Sequence, residues 1–107
     1  MNYRSFIVSA LSSLGIPVAH LTYTGTKTIY ATFQRYNLQG AAYSEGKEIR
    51  TGHYIQLDIF GPSDVTNLAD TAQNLLTAAG AIRTGGQSTY EDDTKLYHDS
   101  RDYLIED

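Results

Sequence analysis

The stretch Gly52-His53-Tyr54-Ile55-Gln56-Leu57-Asp58-Ile59-Phe60-Gly61 decides how the chain is laid out. Its side chains alternate with a period of two: Ile49, Thr51, His53, Ile55, Leu57 and Ile59 point one way, and Arg50, Tyr54, Gln56, Asp58 and Phe60 the other. Such a period predicts a β-strand with Ile55, Leu57 and Ile59 on a buried face and Tyr54, Gln56 and Asp58 on a wetter one. Gly61-Pro62 ends the strand, because proline has no ladder donor and a fixed φ. Ser63 then stands where a helix N-cap is needed. The helix that follows keeps its period through Val65, Leu68, Ala69, Ala72, Leu75, Leu76 and Ala79, with Asn67, Asp70, Thr71, Gln73 and Asn74 outside and Gly80 closing it.

Working outward toward the N-terminus, Asn2 caps a first helix whose apolar positions are Phe6, Ile7, Ala10, Leu11 and Leu14. Gly15 and Pro17 stop it. Val18 to Tyr23 reads as extended and Thr24-Gly25-Thr26 as a turn. Thr28 to Tyr36 is a strand in which Ile29, Ala31 and Phe33 alternate with Tyr30, Thr32, Gln34 and Tyr36. The segment from Asn37 to Lys47 is a long loop on this reading, against the roughly two to five residues usual in a hairpin.

Toward the C-terminus, Ala81 to Thr84 forms a short strand turned by Gly85-Gly86. Glu91-Asp92-Asp93 lies in the next connection, and Lys95 to Ile105 is the last strand. There Tyr97, Tyr103 and Ile105 fall on one side, Leu96 and Leu104 on the other. The sum is one α+β domain over residues 1–107: a mostly antiparallel sheet with two helices packed on one face, in the order α-β-β-α-β-β. The opposite face then carries Tyr30, Thr32, Gln34, Tyr36, Tyr54, Gln56, Asp58 and Phe60.

Composition bounds the function. The 107 residues include nine tyrosines, three phenylalanines and no tryptophan, and the formal charge is −4. Tyrosine combines a large contact area with a polar tip, which suits half-buried faces and protein interfaces; it also favours strands on propensity alone. Without a basic cluster the chain is a poor match to sequence-independent nucleic-acid binding. Without cysteine it has neither disulfides nor thiolate metal sites. The opening Met-Asn-Tyr-Arg-Ser lacks a signal-peptide pattern, and no apolar run approaches the roughly eighteen residues of a membrane span; both predict a soluble protein made in the cytoplasm.

Chemistry-bearing motifs are sparse. His20, His53 and His98 lack metal-ligand spacing. Asp58 sits between Leu57 and Ile59, an uncommon place for a carboxylate, and reads as a salt bridge across the ladder or a subunit contact rather than a catalytic acid. Glu91-Asp92-Asp93 lacks the spaced ligands of a calcium loop and reads as a solvated turn. Neither a nucleophile elbow nor a phosphate loop is present. We therefore expect no catalytic, cofactor-binding or metal site, and take Tyr30, Gln34, Tyr36, Tyr43, Tyr54, Gln56 and Asp58 as the candidate contact residues. A small monomeric binding module and a ferredoxin-like enzyme with His53 and Asp58 near a pocket are the alternatives.

Five stretches taken together resemble the tail-completion, or tail terminator, proteins of long-tailed bacteriophages, which join head to tail. They are Leu14-Gly15-Ile16-Pro17-Val18, Tyr30-Ala31-Thr32-Phe33, Tyr54-Ile55-Gln56-Leu57-Asp58-Ile59, Leu75-Leu76-Thr77-Ala78-Ala79-Gly80 and Leu96-Tyr97-His98. They span nearly the whole chain, and their order and spacing carry the match. Two departures stand out: Ala81-Ile82 where the family has an aromatic, and Asp99-Ser100-Arg101-Asp102 in place of an apolar run. The resemblance implies a structural virion protein, not an enzyme. It would form a ring with itself, commonly a hexamer, that caps the tail tube protein and meets the head–tail connector. DNA would pass through without specific binding, no membrane would be involved, and assembly would occur in the host cytoplasm.

Overall fold

A computed structural model describes residues 2–44 and 47–106, with backbone alone at 39, 41–44 and 47–49. Helix α1 (Tyr3–Ala10) starts as expected: the Asn2 side chain accepts from the amides of Arg4 and Ser5 at 3.0 and 3.2 Å. It is shorter than the apolar spacing suggests, but Leu11 and Leu14 stay buried in the turn that follows, and Gly15 takes φ +83°. Helix α2 (Thr66–Ala78) ends before Gly80 at φ +110°. Its start differs from expectation. The N-cap position is Val65, not Ser63, and makes no side-chain cap bond; the Asp64 carboxylate just before it accepts from the Thr66 amide at 2.9 Å and from its hydroxyl at 2.6 Å.

Five strands form one sheet: β1 (Val18–His20), β2 (Tyr30–Ser44), β3 (Lys47–Gly61), β4 (Ile82–Glu91) and β5 (Leu96–Glu106), in spatial order β1-β2-β3-β5-β4. The expected order lacked β1, and the sheet is mixed, because β1 lies parallel to β2 while the other pairs are antiparallel. The parallel register is fixed by two backbone bonds, Ala31 N to the Pro17 carbonyl at 2.8 Å and Leu21 N to the Phe33 carbonyl at 2.9 Å. The loop between them is closed by the Tyr23 hydroxyl, which accepts from the Lys27 amide at 2.9 Å. Gly25 lets that ring lie down, since an added Cβ would overlap it.

The segment read as a long loop is strand. β2 continues to Ser44 and β3 begins at Lys47, so the two make one hairpin whose strands have 15 residues each. At about 3.3 Å per residue such a strand runs about 50 Å, and the long axis of the molecule is 52 Å. β5 pairs with β3 only from Gly52 onward. The far end of the hairpin therefore projects beyond the sheet as a two-stranded arm. One shift of register, at Arg35/Asn37, lies in the sheet body, and two more, at Gly40/Ala42 and Ala42/Tyr43, break the alternation in the arm.

Gly85-Gly86 is likewise no turn. The pair lies inside β4, beside a bulge between Arg83 and Gly85, and a Cβ on Gly86 would stand 2.8 Å from the Ser100 carbonyl oxygen. The strand is thereby able to run on to Glu91, as an edge strand.

Both helices pack on one face of the sheet, as expected. Ile7, Leu11, Leu14, Ala69, Ala72 and Leu76 close over Phe33, Ile55, Leu57, Ile59, Tyr103 and Ile105. Two polar side chains join this inner face. His53 is 3% exposed, and its Nδ1 lies 3.2 Å from Nη1 of Arg35, whose guanidinium lies over the Tyr3 ring at 4.8 Å. Asp99 is 2% exposed and accepts from Ser88 Oγ at 2.7 Å and from Arg101 Nε at 2.9 Å. Arg101 reaches on to Asp70 and Gln73 of α2, each at 2.8 Å. Asp99 and Arg101, within the polar run Asp99-Ser100-Arg101-Asp102, thus tie β4, β5 and α2 together.

Candidate functional site

Among the described residues no helix covers the opposite face of the sheet. Tyr30, Tyr54, Gln56, Asp58 and Phe60 are half-buried there, and Gln34 is exposed. All were expected on this side. Tyr36 is 50% exposed and occupies the bulge after Arg35, with its ring 6.2 Å from that of Tyr54. Its hydroxyl is pushed above the ordinary phenol range by burial first and by the nearby Asp102 carboxylate, opposed by a hydrogen bond to Thr84. Tyr43, the remaining candidate, lies outside the described side chains.

Rings cross one end of this face in a row. Tyr23 stacks on Tyr30 at 4.7 Å, Tyr30 on Phe60 at 5.1 Å, and Phe60 on His98 at 4.3 Å. Each step joins neighbouring segments, so the row clamps the β1–β2 loop, β2, β3 and β5 together. Such pairs each add about 0.5–1.5 kcal/mol beyond burial.

The row ends in a charged group that the sequence alone does not assemble. His98 Nε2 lies 2.8 Å from Asp58 Oδ1, and its Nδ1 lies 3.1 Å from Glu91 Oε1. Gln56 Nε2 donates to both Asp58 oxygens at 3.0 and 3.2 Å. A neutral imidazole donates through one nitrogen only; a ring carrying both protons donates to both carboxylates. Asp58 therefore has a partner across the ladder in His98, a contact that is an ion pair when the ring carries both protons. Alternation puts His98 on the open side with Leu96 and Leu104, but the register Phe60↔His98 that brings it to Asp58 lies outside what spacing can show.

Next to this group lies a depression of about 280 Å³, lined by Gln56, Gly86, Gln87, Ser100 and Asp102. A larger one of about 360 Å³ opens on the helix side of β4, around Gln73, Arg83, Ser88, Asp99 and Arg101. Both are broad and polar. Among the described residues no group of three His, Asp or Glu is placed to hold a metal ion, and no helix is long and apolar enough to cross a membrane.

The suggested enzyme would bring His53 and Asp58 to one pocket, and the two do not meet. His53 lies on the buried inner face and Asp58 on the open one, so the two side chains point to opposite sides of β3. His20 is also committed elsewhere. Its Nε2 meets the Tyr3 hydroxyl at 2.8 Å, and burial together with the positive charge of Arg4 holds its pKa below the ordinary histidine value.

No family model and no curated protein matches this sequence. Among solved structures, the virion of a native gene transfer agent particle contains a similar chain, with TM-score 0.61 and 10% sequence identity, over 89% of this chain and 81% of that one. At such identity the likeness is one of fold.

Proposed function

We propose that this chain is a structural protein of a phage-like particle, a non-enzymatic subunit that forms a ring on the tail tube and joins tail to head. One observation carries the reading: nearly the whole chain shares the fold of a component of a gene transfer agent virion. Two features of the molecule support it. The open sheet face presents tyrosines with polar neighbours, a composition typical of protein contact surfaces. The projecting hairpin reaches beyond its own sheet, and an isolated two-stranded ribbon is at best marginally stable in water. A neighbour in a ring would supply the missing contacts, since a heterologous interface fits one patch to a different patch on the next copy.

On this reading Tyr30, Gln34, Tyr36, Tyr43, Tyr54, Gln56 and Asp58 belong to the contact surface, and the partners are further copies of the chain, the tube protein and the connector. Negative-stain microscopy of the protein mixed with its tube protein tests it. A cap at one end of each tube is the expected image. Bare tube ends at saturating protein would reject the reading.

A further inference from the structure

The open face of the sheet body carries carboxylates and no lysine or arginine among the described residues. Pairing and alternation place Asp58, Glu91 and Asp102 on it, across β3, β4 and β5. Asp58 and Glu91 share His98. The Asp102 carboxylate, beside the depression with Gln56, Gln87 and Ser100, makes no ion pair or hydrogen bond with another side chain among the described residues. On the helix side two arginines share one ring. Arg4 and Arg35 both stand over the Tyr3 ring, at 5.9 and 4.8 Å, and neither has a carboxylate partner among the described residues. Arg50 and Arg101, by contrast, are paired with Glu106 and with Asp70 and Asp99.

We infer that the Asp102 depression of one copy receives the Arg4–Tyr3–Arg35 patch of the next, in a head-to-tail contact. This deepens the ring reading and rests on it. The occupant is a second copy because the chain carries both halves of a complementary pair on opposite faces of one sheet, where they cannot meet within a molecule. Complementary potentials favour such a contact, and like charges placed across it oppose it.

The test uses the full chain and two variants, Asp102→Arg and Arg4→Glu, each checked by circular dichroism for a parental melting profile. Arg4 is exposed on α1, so that change leaves the core untouched. Sedimentation velocity should show the parent associating, less so as salt rises, and each variant alone associating at least about tenfold more weakly. Mixing the two variants should restore association, because the reversed face of one then meets the reversed patch of the other. If Asp102→Arg does not fold, Asp102→Asn with Arg4→Gln tests the same pair, with weaker association expected from each. Variants that associate as the parent does, a mixture that stays dissociated, or a monomeric parent at every soluble concentration would each overturn the contact. The ring reading is judged separately by tube capping: variants that self-associate normally yet leave tube ends bare place the acidic face against another protein.

Discussion

The two faces of β3 and β5 are built from the same strands, residue by residue in alternation, and they use histidine in opposite ways. On the inner face His53 lies against a guanidinium, which has only protons to offer, so its Nδ1 accepts. On the open face His98 lies between two carboxylates and donates. The inner face encloses its polar groups between apolar neighbours and helix; the open face strings its own along a row of rings. Burial of Ile55, Leu57 and Ile59 stabilises the fold. The open positions between them are free to serve contact, because changing them leaves that apolar burial in place.

The largest expected difference between the faces comes from placing a charge on each side of one strand. Leu57 is 2% exposed, and Leu57→Asp should unfold the domain, since an unpaired buried carboxylate costs several kcal/mol, on the order of the whole stability of a small domain. Loss of the far-ultraviolet dichroism transition is the readout; a cooperative melt within a few degrees of the parent would contradict the inner-face assignment. Next in size is Asp99→Ala. It removes the buried acceptor of Ser88 and Arg101 and should cost about 3 kcal/mol, the lower end for breaking a buried pair, because Asp70 and Gln73 still hold the guanidinium. Urea denaturation measures it, and a cost near zero would make the network ornamental.

How much of this was readable beforehand follows from which signals are local. The β3 alternation, the Asn2 cap, both helices with their glycine ends, and the placing of Tyr54, Gln56 and Asp58 opposite the core all come from patterns within about a dozen residues. The hairpin arm was not legible, because Gly40, Ala41, Ala42 and Gly46 have low strand preference and the bulges interrupt the period. Gly85-Gly86 reads in the sequence as a turn that would end β4, whereas its real constraint is the closeness of the Ser100 carbonyl. β1 had only three residues to show itself, and its parallel pairing depends on a carbonyl of Pro17. Asp58 and His98 are forty residues apart in sequence and meet only through the β3–β5 register. Alternation fixes the side of a sheet a residue occupies; it says nothing of its neighbour across the ladder.

A milder change on the open face sharpens the contrast. Tyr54→Ala removes a half-buried ring that touches Tyr36 without entering the core. The domain should stay folded, with a loss of about 1 kcal/mol at most from the ring pair, while ring formation and tube capping weaken. A variant that assembles as well as the parent removes Tyr54 from the contact surface. One that unfolds would mean that the open face contributes to the core after all.

The smallest effect is expected at Tyr103, where an inner-face tyrosine can be set against the open-face Tyr36. Tyr103 is fully buried, its hydroxyl has no hydrogen-bond partner among the described residues, and burial pushes its pKa up to about 12. The folded state thus holds the phenol proton more tightly than the unfolded chain, whose tyrosines titrate near 10.0. This contribution to stability is complete below pH about 10 and is lost as pH rises through about 12. Tyr103→Phe deletes an unsatisfied buried hydroxyl at nearly constant shape, so at neutral pH it should be neutral or stabilising by up to about 1 kcal/mol. The variant should also lose less stability than the parent between those two pH values, and its latest-titrating tyrosinate absorbance should vanish. A clear destabilisation at neutral pH would mean that the hydroxyl is held by a partner after all, and the inner face would then be as polar in its demands as the open one.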